Sequence, residues 1–394
     1  MPNCSNLGPG KIVCKPGNYS EFVLARGVVS DNNSTKEIDL SGCKISDVDY
    51  ESFHRLPALT HLNLSQNLIT RLKLGVLDGF KNLIHLDLSH NQLKTFPLGL
   101  FDQKPNLVYL DLSHNQLQAL ELGIFDPLSK LRFLDLSNNS LRGADIDPYI
   151  FDKSKRIKTL SFSTNDMSGA QDILLHAMTV LEKLDLEDCQ LEELPAFALK
   201  SNMGTLKELN LSQNKLQEIR GDETFKHLTG LVSLNLTSNT IEMIGEAVFK
   251  PLNKLKVIAL RDNRIKQLPE TVFQNMPLSN IDLSRNLIEF IPVNAFRGTK
   301  TKNLNLSSNR FTYLQDNFCL ELRNSGAFVN KFYFNDNPWQ CACLRQLLNE
   351  VRRFDIVYNN AKFDGQHPVC VEVDGPICHR HVEFNEHVYE IYDN

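Results

Sequence analysis

His61, His85, Tyr109 and Phe133 recur at intervals of 24 residues, and two positions beyond them stand Asn63, Asp87, Asp111 and Asp135. Rings beside carboxylates suit polar ligands with apolar faces, such as sugars, or the binding hot spot of a partner protein. The aspartates also belong to a repeated LDLS spelling, so their recurrence alone does not make them ligands. A second set is basic: Lys256, Arg261, Arg285, Lys302 and Arg310. Arginine grips phosphate and carboxylate bidentately, so this set suits a bacterial glycolipid or an anionic glycan, although Asp262 and Asp282 dilute its charge. No nucleophile elbow, phosphate loop or HExxH stretch occurs. The sequence assigns no catalytic residue, no metal ligand and no cofactor, and the chain reads as a binding protein rather than an enzyme.

The element that positions these residues is a sentence the chain repeats: LIHLDLSHNQL from Leu83, LVYLDLSHNQL from Leu107 and LRFLDLSNNSL from Leu131. The pattern LxxLxLxxNxL with a period of about 24 is the leucine-rich-repeat signature, one short strand per turn of a solenoid. Further copies begin at Leu59, Ile157, Leu181, Leu206, Leu231, Leu255 and Leu278, with weaker ones at Thr301 and near Val329. The expected class is therefore an α/β repeat solenoid, a horseshoe with a parallel concave sheet. Alternation along each strand buries the leucines and turns the intervening residues outward. A phenylalanine or leucine before each following copy (Phe101, Phe125, Phe151, Phe225, Phe249) reads as a convex spine. The recurrent asparagines (Asn91, Asn115, Asn139, Asn263 and their counterparts) read as a buried ladder satisfying turn backbone. The implied organisation is a cysteine-bearing N-terminal cap over 1–34, about 12–13 repeats over 35–336, a cysteine-rich cap over 337–381 and a tail over 382–394. That tail reads either as a strap along the cap or as a disordered end.

At 394 residues, 42% hydrophobic and 23% charged, the composition is ordinary for a soluble domain, and the net charge of -5 argues against a nucleic-acid partner. No stretch approaches the roughly 20 apolar residues of a membrane span. The nine cysteines gather mainly at the two ends, as in disulfide-stapled extracellular proteins. Cys4 and Cys14 would close a small loop; Cys341, Cys343, Cys370 and Cys378 allow three connectivities by spacing alone. Cys43 and Cys189 occupy ladder slots, where a small buried thiol substitutes for asparagine, and Cys319 has no obvious mate. The opening MPNCSNLGPG lacks the apolar core of a signal peptide. Either a signal was removed or the chain never met the secretory route, and the cysteines favour the first. Nine N-x-S/T sequons, at Asn3, Asn18, Asn32, Asn33, Asn63, Asn138, Asn210, Asn235 and Asn305, point the same way. Sugar at Asn63, Asn210, Asn235 or Asn305 would leave a window on the concave face from about His85 to Asp185.

The NPWQCACLRQLLNEV stretch from Asn337 resembles the C-terminal cap of extracellular leucine-rich-repeat proteins. By that resemblance Cys341 pairs with Cys370 and Cys343 with Cys378. Both caps and the repeat together resemble the class that includes Toll-like receptor ectodomains, and in its freestanding form the chain is most similar to the soluble insect haemolymph proteins of the leureptin type. The resemblance implies a secreted glycoprotein in innate immune recognition of microbial surface molecules such as lipopolysaccharide. The alternatives are the ectodomain of an adhesion or signalling receptor and a structural protein of the extracellular matrix. The expected partner is a microbial glycolipid or glycan, or an extracellular protein. Oligomeric state is not legible.

Overall fold

A computed structural model describes residues 1–29, 32–53, 56–363, 369–373 and 375–392. The chain divides into two compact units, one of Met1–Leu191 with Pro195–Leu206, the other of Glu192–Leu194 with Lys207–Asn394.

In the first unit an antiparallel hairpin, Asn3–Gly8 with Lys11–Lys15, sets Cys4 opposite Cys14, and the two are disulfide-bonded. Lys11–Lys15 then pairs in parallel with Glu37–Asp39, which begins a run of three-residue strands: His61–Asn63, His85–Asp87, Tyr109–Asp111, Phe133–Asp135, Thr159–Ser161 and Lys183–Asp185. The strands are this short because only the central leucine of each triplet, Leu62 to Leu184, has to point inward before the chain turns away to complete the repeat. Each buried leucine contributes roughly 1.5–3 kcal/mol that no isolated repeat could collect.

The turn after each strand needs two devices. The residue before the ladder asparagine adopts a left-handed conformation (Gln66, His90, His114, Asn138, Thr164; φ 51–56°), although none is glycine. The asparagine then binds the backbone around it. Asn115 Nδ2 lies within 2.9–3.1 Å of the carbonyls of Leu88, Leu112 and Ser113, and its Oδ1 accepts from the Leu93 N–H at 3.0 Å. Buried groups that would otherwise be orphaned are thereby paired. Cys189 fills one ladder slot with its thiol against the Phe162 carbonyl, and Cys43 fills another against that of Cys14; both are buried and reduced, as is Cys319.

The second unit repeats the plan with Glu208–Asn210, Ser233–Asn235, Val257–Ala259, Asn280–Asp282, Lys300–Asn305 and Phe328–Tyr333, all parallel and in register. Its spine rings Phe225, Phe249, Phe273 and Phe296 stack 5.9–6.1 Å apart. The side opposite the sheet is built from turns and short 3-10 segments. Among the described residues the α-helices are α1 (Phe318–Asn324), α2 (Cys341–Arg353) and α3 (Glu383–Tyr392), all in the C-terminal part of the sequence. Disulfides Cys341–Cys370 and Cys343–Cys378 fasten α2 there, over Trp339, whose indole N–H donates to the Phe334 carbonyl. The tail residues of α3 are ordered: Val388 packs on Val371 and Val373, Asn385 bonds Thr312, and the Tyr389 hydroxyl donates to the Arg310 carbonyl at 2.8 Å.

Candidate functional site

Because the strands of the first unit are in register, His61, His85, Tyr109 and Phe133 are direct neighbours on the solvent side of the sheet. Their rings form one continuous stack. Centroids are 5.5 Å apart between His61 and His85, 4.0 Å between His85 and Tyr109, and 4.3 Å between Tyr109 and Phe133, the last two pairs within 9° of parallel. This changes the chemistry expected of the column. A ring sandwiched on both sides, as His85 and Tyr109 are, presents its edge and polar atoms to a ligand, not its face. The sugar-stacking role is therefore closed at those two residues. Burial, followed by the charge of His61, lowers the His85 pKa, so that imidazole resists protonation.

Asp87, Asp111 and Asp135 form the adjoining column. Each turns Oδ1 back to accept from the N–H two residues on, of Ser89, Ser113 and Ser137, at 2.8–2.9 Å. The repeated LDLS spelling thus has a local structural use, and Oδ2 is the atom left to meet other groups. At Asp111 that oxygen takes the Tyr109 hydroxyl at 3.3 Å, and burial together with the nearby aspartates pushes the phenol pKa up. Burial also raises the Asp135 carboxyl. A second stack, His90 on His114 at 4.0 Å, lies along the strand ends, and burial and the neighbouring His90 lower the His114 pKa. The period of 24 makes these two histidines, letters of the repeat spelling, neighbours, but the stacking of their rings is not visible in residue type.

The basic residues do not gather into one patch. Arg261 and Arg285 both turn to Asp262, at 3.1 and 3.8 Å, so one carboxylate offsets much of their charge. Arg310 lies over the Tyr389 ring at 5.1 Å, held to the tail helix. Lys256 and Lys302 are exposed at the opposite, entry side of their strands, with Ser279 on the strand between. Of the sequon asparagines, Asn3, Asn18, Asn32 and Asn33 are exposed. Asn63, Asn210, Asn235 and Asn305 are half-buried on the sheet, each accepting through Oδ1 from the N–H two residues on, and Asn138 sits at a left-handed turn position. Among the described residues no group of three or more His, Cys, Asp or Glu is placed to hold a metal ion, and no helix is long and apolar enough to cross a membrane.

Leucine rich repeat family models match residues 33–93, 85–141, 179–240, 204–265, 229–279 and 254–311, and a further one matches 130–153. These cover more than half of the chain, which belongs to the leucine rich repeat family. No curated protein matches the sequence. Among solved structures, the chain is similar to one of the Toll–Spatzle complex of Drosophila, with a TM-score of 0.65 and 21% identity over 87% of this chain and 53% of that one. It is also similar to an internalin (inlF) of Listeria monocytogenes, with a TM-score of 0.63 and 18% identity over 83% and 86% of the two chains. The leucine-rich repeat domain of APL1 gives a TM-score of 0.59 and 21% identity over 86% and 85%. The chain spans about half the length of the Toll–Spatzle match. Likeness at these identities concerns the fold alone.

Proposed function

We propose that the chain is an extracellular, N-glycosylated recognition module of innate immunity, related in role to the leureptin-type haemolymph proteins, and that its ligand lies on the sheet face of the first unit. The observation that carries this reading is the ring stack from His61 to Phe133 bordered by Asp87, Asp111 and Asp135. It is a rigid surface of ring edges and carboxylate oxygens that the repeat fold does not require. Aromatic side chains of this kind carry much of the binding energy at protein interfaces. Likeness in fold to the Toll–Spatzle complex, a molecular hub in Drosophila development and innate immunity, supports a role of the same kind. A ligand site around Arg261 and Arg285 in the second unit, suited to the phosphates of a microbial glycolipid such as lipopolysaccharide, is the second reading; their shared partner Asp262 weakens it.

The test is binding of lipopolysaccharide and of peptidoglycan to the parent, to Tyr109→Ala/Phe133→Ala and to Arg261→Glu/Arg285→Glu, at low and high salt. The proposed face requires a loss in the first variant, about 2 kcal/mol for each side chain that is a hot spot. Full affinity there, with loss in the second and a steep salt dependence, moves the site to the second unit. Unchanged binding in both removes microbial ligands from the sheet face. Glycopeptide mass spectrometry of secreted protein is expected to find sugar at exposed Asn3, Asn18, Asn32 or Asn33 and on at least one of the four sheet sequons. If all four sheet sequons are bare, sugar does not confine the ligand to the window from His85 to Asp185.

A further inference from the structure

On the turn side of the first unit, three residues before the buried spine positions Phe53, Leu77, Phe101 and Phe125, stand Tyr50, Leu74, Leu98 and Leu122, with 58, 55, 59 and 53% of their surface exposed; Pro148 and Asp172 take the slot in the two repeats that follow. The fold does not ask for apolar residues in this slot. The corresponding positions of the second unit, three before Phe225, Phe249 and Phe273, are Asp222, Glu246 and Glu270, all exposed. The side chains of the first unit are also contiguous. The residue after each leucine is a glycine with φ of 86–92°, and Leu74 Cδ1 lies 3.4 Å from the point where a Cβ on Gly99 would stand, Leu98 Cδ1 3.8 Å from that on Gly123. Tyr50, Leu74 and Leu98 thus each lean over the glycine of the next repeat, which links them and Leu122 into one apolar stripe rather than the scattered exposed leucines of an ordinary surface. One row away run the exposed carboxylates of Asp78, Asp102 and Asp126.

The geometry points to this stripe as a docking surface for an amphipathic helix that presents an apolar residue once per turn beside a row of lysine or arginine. Two observations select that occupant. Phe125, beneath the Leu122 slot, and Phe151, the spine ring of the next repeat, are 5.8 Å apart, so successive repeats on this side follow one another at close to the helical pitch of about 5.4 Å and a helix lying across them meets one slot per turn. The single acidic row demands basic charge on one flank, which disfavours an anionic lipid surface and a neutral apolar partner.

The probe is a stapled synthetic helix of about 18 residues, long enough for the four slots, with leucine once per turn and lysine beside it; the control is a stapled helix of scrambled order. Binding is followed by fluorescence anisotropy to the full chain. The parent is expected to bind the probe at least tenfold more tightly than the scramble. Leu74→Glu/Leu98→Glu/Leu122→Glu, which copies the side-chain class of the second unit and so keeps the fold by circular dichroism, is expected to lose that preference. Asp78→Asn/Asp102→Asn/Asp126→Asn is expected to bind several-fold more weakly and with a flatter salt dependence. Equal affinity of parent and triple-glutamate variant overturns the proposal, as does equal affinity for probe and scramble. Self-association of the parent that the glutamates abolish would make the occupant a second copy of this chain. Flotation of the parent, but not the variant, with phosphatidylglycerol vesicles would make it a membrane. Either result displaces the helix.

Discussion

The sheet faces of the two units are built on the same register and carry opposite surfaces. Where the first unit stacks His61, His85, Tyr109 and Phe133, the second has Ser233, Val257, Asn280 and Asn303, of which Asn303 donates across to Asn280 at 2.9 Å. Where the first has Asp87, Asp111 and Asp135, the second has Asn235, Ala259, Asp282 and Asn305, two of them sequon asparagines. The inward leucines, the spine phenylalanines and the ladder asparagines do not differ in kind. A strand of three residues needs only its middle side chain buried, so the outer two can differ between the units while the repeat is kept. The contrast separates what builds the repeat from what can be used by it, and each can be broken alone.

The largest effect should come from the shared part. Asn115→Ala in the first unit and Asn263→Ala in the second each remove a buried amide that binds three carbonyls and one N–H. Each should lower stability by about 3–5 kcal/mol in urea unfolding, alike in both units. A loss below about 1 kcal/mol in either would show that the ladder is not common scaffold.

Next in size is an exception within the first unit. Three residues after the spine position, repeats bury Leu56, Phe80, Leu128, Leu228 or Leu252, but one buries Lys104, with 0% exposure and Nζ reaching only the Gln103 carbonyl at 3.2 Å. Burial lowers its pKa from 10.5 to about 8. The unfolded chain binds the proton more tightly, so native stability rises as pH climbs from about 8 to 10.5, and the cost of the buried ammonium is present in full below that window. Lys104→Leu should therefore raise stability by roughly 1–3 kcal/mol at neutral pH, with the gain shrinking toward pH 10.5. A gain that does not vary with pH would mean that packing, not charge, separates lysine from leucine here.

The site substitutions should be milder and unequal. Tyr109→Ala loses two stacked neighbours and should cost about 1–2 kcal/mol, more than Val257→Ala at the same register position of the second unit. Equal costs would place the stack outside the stability of its unit. The smallest effect is on pH dependence. The His85 pKa is held below its ordinary 6.5 by burial and by His61, against the pull of Asp87 and Asp111, so the first unit should lose stability as pH falls through 6.5. His85→Gln should flatten that slope, by under about 1 kcal/mol because the ring is half-exposed.

Much of this was legible in the residues. A period of 24 fixes which side chains are neighbours, so the columns His61–Phe133 and Asp87–Asp135 follow from counting, as do the inward leucines and the asparagine ladder. Ring orientation does not follow: four outward aromatics at strand spacing can stand apart or collapse on one another, and only the rotamers decide that His85 and Tyr109 show edges. The basic set failed as a cluster for a related reason, since Asp262 lies next to Arg261 in sequence but reaches Arg285 only through the repeat. Lys104 hid in plain view because its slot is apolar by position, while its letter reads as surface. The exposed leucines hid in the opposite way, as one more apolar residue in a leucine-rich text.

The ladder asparagines also give the solenoid a direction. Asn91 accepts from Ile69 and donates to Leu64, Asn263 accepts from Ile241 and donates to Leu236; each reaches back into the repeat before its own. A chain shortened from its C-terminus thus loses the acceptor for a donor in its last remaining turn, whereas one shortened from its N-terminus leaves an amide hydrogen idle at the other end. During synthesis, a repeat newly made stays incomplete until its successor arrives, and the growing tip is always the turn with an open N–H. Assembly that proceeds from the first repeat onward closes these groups one at a time, in the order in which the residues are made.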